Sequence, residues 1–263
     1  MKSIFFLQIL VVAIMLTNGC NKEEGEKRIT LTMINENKEG SIGLRGDGTA
    51  TIDWGDGRMK EEITLLGTDV GEYYDVQHYE HKYGSLTEFT ITITGETITG
   101  LFCNNIKTLD VSHNPALTYL LFESTQIISL NLKNNRALKH LEVYSPLTSL
   151  DLRNNRELII LRLSMSNNHP LKSLDVSYNT ALTELYCPNR QLTSLDVSKN
   201  TALRRLNCSG NQLTADALNA LFSSLHNNDI VGGKYIQIHG NPGSAACDRS
   251  IATSKGWIVD GLR

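Results

Sequence analysis

The chain has 263 residues, with 25 Lys and Arg set against 28 Asp and Glu and a formal charge of −3. That length allows two modest domains and a sizeable core. The near balance of charge, with no basic block anywhere, excludes nucleic acid as an expected partner.

Lys2 precedes the apolar run IFFLQILVVAIML, which is too short for a membrane span of about 20 residues and suits the core of a secretory signal. The run ends in LTNGC, which resembles a bacterial lipobox. The resemblance implies cleavage before Cys20 and a lipid on Cys20. The following NKEEGE is similar to the acidic tethers of Bacteroidetes-like surface lipoproteins. Residues 1–19 are therefore read as a lipoprotein signal peptide and 20–28 as a tether. The expected location is the outer membrane, facing the cell exterior and held through the lipid.

From residue 29 the pattern becomes strand-like. TATIDWGDG alternates and then turns, since Gly-Asp-Gly is hairpin chemistry. EFTITITG alternates and is rich in β-branched residues, and HYEHKYG lies between the two. IDWGDG, HKY and FTITITG together resemble the PKD-type domain, an immunoglobulin-like β-sandwich, over residues 29–96. Trp54 and Tyr83 are expected in its core, and Asp53 and Asp56 as turn formers. Arg45-Gly46-Asp47 reads as ordinary turn material.

From residue 97 to 212 the chain repeats. Units begin at Ile106, Ile127, Leu147, Leu171, Leu192 and Leu213, mostly 21 residues apart, with one unit of 20 and one of 24. Each unit carries L-x-x-L-x-φ twice, where φ is apolar, as in LTSLDVSKNTA followed by LRRLNCSGNQ. Self-similarity at a fixed period marks a stacked solenoid, because one unit cannot bury its apolar side alone. Alternation predicts one short strand per half, hence coils with two strands and two parallel sheets with rungs about 4.8 Å apart. Asn114, Asn135, Asn155, Asn179 and Asn200 recur where each first half ends, as groups that bond the turning backbone. In the second halves that position is Thr125, Pro146 and Arg190, and only Asn211 keeps the amide, so regular strands are less expected there. The pattern is similar to the leucine-rich repeat family, and the doubling resembles its nested bacterial subclass.

One inward column reads Cys103, Phe122, Val143, Leu163, Cys187, Cys208, so Cys serves here as a small apolar residue and not as a metal ligand. Adjacent rungs would allow a Cys187–Cys208 bridge by distance, whereas parallel side-chain directions disfavour it. The outward letters of the first halves are monotonous, with Asp110, Asn131, Asp151, Asp175 and Asp196 in one column. Those of the second halves vary. Tyr119, Leu121, His140, Tyr144, Arg162, Tyr186 and Arg205 form the candidate binding face, beside Glu142, Ile160 and Glu184. Tyr and Arg are common interface anchors, and an exposed apolar patch marks a contact site. The 24-residue unit adds MSNNHP at 165–170, an edge loop of the kind that carries contacts.

Residues 213–263 break the repeat. TADALNALFSSL has helical spacing with Thr214 as N-cap, KYIQ reads as a strand, CDRSIATSKG as a short helix and WIV as a strand. This segment is expected to cap the open end of the coil. The expected fold is thus mainly β: a small Ig/PKD-like sandwich, a leucine-rich-repeat solenoid of two-stranded coils, and an α/β C-terminal cap. No HExxH, GxSxG, CxxC or phosphate-cradling glycine loop occurs, so neither an enzyme nor a cofactor is expected. The expected role is binding of a protein or a glycan at the envelope, or support of a neighbouring surface complex.

Overall fold

The computed structural model describes residues 27–34, 39–67, 76–84, 88–164 and 171–260. The expected signal peptide, Cys20, most of the tether and the 165–170 insertion lie outside them.

Five strands open the structure: β1 (Arg28–Ile34), β2 (Glu39–Asp53), β3 (Glu61–Leu65), β4 (Gln77–Lys82) and β5 (Glu88–Cys103). Their alternation sets the inward face. Ile29, Leu31 and Met33 of β1 and Phe89, Ile91 and Ile93 of β5 are buried, while the threonines between them are not. β2 and β3 form the expected hairpin, Ile52 opposite Glu61. Asp53 and Asp56 shape its turn by accepting the N–H of Gly55 and Arg58, both at 3.0 Å. Trp54 and Tyr83 are buried, and the Tyr83 hydroxyl donates to the Trp54 carbonyl at 2.8 Å.

β5 does not stop at residue 96, where the sandwich-like segment was expected to end. Its first half pairs antiparallel with β1, and its last residues pair in parallel with β7 (Tyr119–Glu123), Gly100 opposite Tyr119. β2 follows β5 through this passage, with register shifts between Arg45 and Ala50. Arg45-Gly46-Asp47 therefore sits at a bulge inside a strand. Bulges bend the strand and sharpen its twist, and this one carries the sheet from the N-terminal strands into the coil. All 13 strands among the described residues belong to one hydrogen-bonded sheet, and their buried apolar side chains form one cluster from Ile29 to Trp257.

β6 (Ile106–His113) is the first half of the first unit. It pairs antiparallel with β1, whose other edge holds β5. The solenoid strands that follow are β7, β8 (His140–Tyr144), β9 (Ile160–Leu163), β10 (Glu184–Tyr186) and β11 (Arg205–Asn207), all parallel. Every one of them is a second half. Coils with two strands were expected, but after β6 the described first halves form no strand. Asp151, Asp175 and Asp196 accept the N–H two residues on, at 3.1, 2.9 and 2.8 Å, and turn the chain there, as Asp110 does within β6 at 2.9 Å. β6 is the exception because β1 offers it an edge.

The five asparagines then turn inward and are buried. Each Nδ2 reaches back one coil. Asn155 donates to Leu132 O at 3.1 Å and Asn135 O at 2.7 Å, Asn179 to Leu152 O at 3.1 Å and Asn155 O at 2.7 Å, and Asn200 to Val176 O at 3.0 Å and Asn179 O at 2.8 Å. On the opposite turn the Ser124 and Ser145 hydroxyls donate to Ile106 O and Ile127 O. Asn211 and Asn241 take over that role, donating to the Cys187 and Cys208 carbonyls respectively, each at 2.9 Å.

The C-terminal segment holds α1 (Ala215–Ser224), β12 (Lys234–Gln237), α2 (Ser250–Thr253) and β13 (Trp257–Val259). Thr214 caps α1 by accepting from the Ala217 N–H, and Leu218, Leu221 and Phe222 face the core. The Lys255 ammonium donates to the carbonyls of Phe222, Ser223 and Leu225 at the other end of α1, where the helix dipole favours a cation. β12 and β13 continue the parallel sheet, Leu206 opposite Ile236 and Tyr235 opposite Ile258. The sheet thus passes through the expected boundary at residue 213.

Candidate binding face

The parallel register assigns every outward side chain of the sheet to a column. One column runs Gly100, Tyr119, His140, Ile160, Glu184, Arg205, Tyr235, and the next runs Phe102, Leu121, Glu142, Arg162, Tyr186, Asn207, Gln237. Tyr144 stands beside Glu142 on β8. All seven side chains of the candidate face lie on this one surface.

Their exposure differs from expectation. Tyr119, Leu121 and His140 are buried, as is Ile160, and Leu121 retains only 6% of its surface. Tyr144, Arg162 and Tyr186 are half-buried, and Arg205 is exposed. Large side chains on strands about 4.8 Å apart lean on one another and exclude water. The Tyr119 and His140 rings lie 4.8 Å apart, and the Arg45 guanidinium stands 5.6 Å from the Tyr119 ring. The apolar patch expected at Tyr119, Leu121 and Ile160 is therefore part of the packing and is not an open surface.

Toward the C-terminal rungs the face becomes ionic. His140 Nε2 lies 3.3 Å from Glu142 Oε2, and the Tyr144 hydroxyl donates to Glu142 Oε1 at 2.5 Å. Arg162 bridges Glu142 at 3.5 Å and Glu184 at 3.2 Å, and Glu184 also accepts from Arg205 at 3.0 Å and from Arg204 at 3.5 Å. The Arg162 guanidinium lies 5.2 Å from the centre of the Tyr186 ring. Burial pushes the Glu142 carboxyl up, but the hydrogen bonds from His140 and Tyr144 and the Arg162 charge outweigh it and hold the group below its ordinary value. Burial likewise opposes the charge on Arg162, and its contacts with Glu184 and Glu142 outweigh that and raise its pKa. The Tyr186 phenol is raised, first by burial and then by the Glu184 charge.

A carboxylate with a depressed pKa stabilises the fold above its unfolded pKa of about 4.3, and that contribution is lost as pH falls through the lower folded value. Glu142→Gln should therefore be less stable than the parent at pH 7, with the gap closing near pH 3. Urea melts at the two pH values measure this, and an equal gap at both would contradict the assignment.

The face opens past Tyr186. A cleft of about 430 Å³ is lined by Tyr186, Arg205, Leu206, Asn207, Gly232, Tyr235 and Gln237. Tyr235 and Gln237 are missing from the candidate set because KYIQIHGN was assigned to the cap. The signal was present, since that segment aligns without a gap with RRLNCSGN, residues 204–211, keeping the apolar positions and ending on the same Gly-Asn.

The inward thiols behave as the repeat requires. Cys103, Cys187 and Cys208 are fully buried and unbridged. Burial pushes the Cys187 thiol up to about 12 and that of Cys208 well above its ordinary value. Iodoacetamide should leave Cys103, Cys187 and Cys208 unlabelled in the folded protein and label all three in urea. Labelling of Cys187 without denaturant, read by peptide mass, would contradict the packing.

A stack of coils with one parallel sheet, an inward asparagine ladder and leucine-lined interior is a leucine-rich-repeat-like solenoid, a class built around an extended face. No family model matches the sequence, and no curated protein matches it. Among solved structures, the chain is similar to the functional domain of InlJ from Listeria monocytogenes, described as including a cysteine ladder. The identity is 27% and the TM-score 0.41, with 59% of this chain and 37% of that chain covered. The chain thus spans well under half of that solved chain.

Proposed function

We propose that the protein is a non-catalytic recognition module held at the bacterial outer membrane by a lipid on Cys20, with the sheet face as its binding surface. The N-terminal strands, PKD-like in IDWGDG and HKY, close one end of the coil on this reading, and the C-terminal segment closes the other. The observation that carries the proposal is the change of character along the face. Rungs at Tyr119 and His140 are packed shut, while those at Tyr186, Asn207 and Tyr235 offer rings, amides and a guanidinium around a cleft. Aromatic and Arg side chains in such a setting are frequent anchors.

The test is a screen of the full chain against protein and glycan arrays. Tyr186→Ser with Asn207→Ala should abolish the hits, and Lys199→Ala, on the first-half side, should leave them. A second reading, an accessory subunit of a surface complex, draws on the internally paired Glu142–Arg162–Glu184–Arg205 array, whose carboxylates need no ligand to satisfy them. Hits that are indifferent to the double variant would favour that reading.

A further inference from the structure

The recognition role leaves the ligand's chemistry open, and the cleft on β10, β11 and β12 narrows it. Arg162 covers one side of the Tyr186 ring at 5.2 Å, which leaves the opposite side to the cleft that Tyr186 lines. Tyr235, one strand beyond Arg205, supplies a second ring, and both tyrosines are half-buried, so each ring is fixed but not covered. Two amides lie between them. Asn207 Oδ1 is occupied by the Ser209 N–H at 3.0 Å and the Ser209 hydroxyl at 2.7 Å, which orients the amide and leaves Nδ2 to donate. Among the described residues nothing hydrogen-bonds the Gln237 amide, so it offers both a donor and an acceptor. The single charged lining group, Arg205, already meets Glu184 at 3.0 Å. Gly232 stands at the rim, with no atom within 4 Å of where its Cβ would lie.

Resting on the recognition role above, we infer that this cleft is a site for a neutral saccharide. A pyranose has an apolar C–H face that lies on an aromatic ring and a rim of hydroxyls that each donate and accept. Fixed Tyr rings beside unspent amides match both properties. A volume of about 430 Å³ falls at the small end of ligand pockets, enough for a short oligosaccharide end and not for a folded partner's core contact. Arg205 is already held by Glu184, so a sugar acid's carboxylate would have to compete for a guanidinium contact that an uncharged ring leaves in place. The site also lies beside β13, where Ile258, opposite Tyr235, is exposed.

The test is titration of the full chain with neutral oligosaccharides of glucose, galactose and mannose, alongside sialylated and sulfated counterparts, read by saturation-transfer NMR. At least one neutral series should bind. Tyr235→Ser and Gln237→Ala should each weaken it tenfold or more, and Tyr178→Ser, an exposed tyrosine off this face, should leave it unchanged. Gln237→Ala changes one half-buried surface amide, so its effect is read without loss of the fold, which far-UV circular dichroism checks for all three. Absence of neutral-sugar binding, preference for the anionic series, or equal binding by the Tyr235 and Gln237 variants would overturn the inference. If no sugar binds while array proteins still depend on Tyr186 and Asn207, the saccharide assignment alone falls and the recognition role stands.

Discussion

Asn155→Asp should destabilise the protein by about 4 kcal/mol or more at pH 7, beyond the ordinary range for a single substitution. Asn155 is fully buried, and its Nδ2 donates to two carbonyls, Leu132 O and Asn135 O. Its Oδ1 has no partner, and the same is true of Asn114, Asn135, Asn179 and Asn200. The ladder therefore works through donors alone. Asp is nearly the same shape but offers only acceptors when ionised, so it would set a buried negative charge against two carbonyl oxygens. Asn155→Ala, which only strips the donors, should cost about 2–4 kcal/mol, from two buried acceptors at about 1–3 kcal/mol each with partial relaxation. The two variants separate by pH. A carboxyl buried in this way has a folded pKa above its unfolded value, so the neutral form favours folding, and stability is lost as pH rises. Asn155→Asp should recover much of its deficit near pH 4, and Asn155→Ala should not. Equal urea midpoints for the parent and Asn155→Asp at pH 7 would remove the ladder from the account of stability.

Gly46→Ala should cost about 3 kcal/mol or more. A Cβ at Gly46 would lie 2.0 Å from the Thr97 carbonyl oxygen and 2.8 Å from a Leu65 methyl. Leu65 could rotate away. Thr97 is backbone and is paired with Asp47, and Gly46 itself is paired with Ile98, so relief requires opening β2 from β5 at the bulge. The damage should fall on the join between the N-terminal strands and the coil. The protein's two tryptophans, Trp54 and Trp257, sit at opposite ends of the structure. Single-tryptophan versions, made with Trp54→Phe or Trp257→Phe, report each end by fluorescence during a urea melt. In the parent the transitions should coincide, because one sheet and one core connect the ends. With Gly46→Ala the Trp54 transition should move to lower urea than that of Trp257. Coincident, unshifted transitions would show that the bulge tolerates a methyl group and that the join is looser than the distances require.

The inward half of the coil was legible in the sequence because burial imposes a strict alphabet there. Leu, Val, Phe and Cys exchange within the column from Cys103 to Cys208, and the structure buries all six. The placement of strands was less legible. L-x-x-L-x-φ is written the same way in both halves, so alternation alone assigned a strand to each. The letters around φ do not decide it either, since Asn207 before Cys208 and Asn211 three residues after it repeat the first-half pattern and yet follow β11. Loss of asparagine at Thr125 and Pro146, read as a weakness of the second halves, costs them no strand: β7 and β8 are extended, as is β11, whose half keeps Asn211. β6 could not be read as an exception, since its strand depends on β1, more than 70 residues earlier in the chain. The candidate face was found as a set of columns, but its exposure was misjudged. Whether Tyr119 or Leu121 meets water depends on how tall its neighbours on the next rungs are, which is a property of the stack and not of one unit. The end of the array was set two rungs early, before β12 and β13, and Tyr235 and Gln237 were lost with it.

The asparagine ladder also measures how freely the coils can change in length. Asn155 follows Asn135 by 20 residues and Asn179 follows Asn155 by 24, yet each pair is joined by the same 2.7 Å bond. The longer unit carries its surplus residues in the sequence between Leu163 and Leu171, away from the asparagine positions. Lengthening or shortening a unit there leaves every rung still clasped to the one before it. A lineage could trim, extend or redecorate that stretch, or splice in a whole extra turn of 21 residues, without renegotiating the interior.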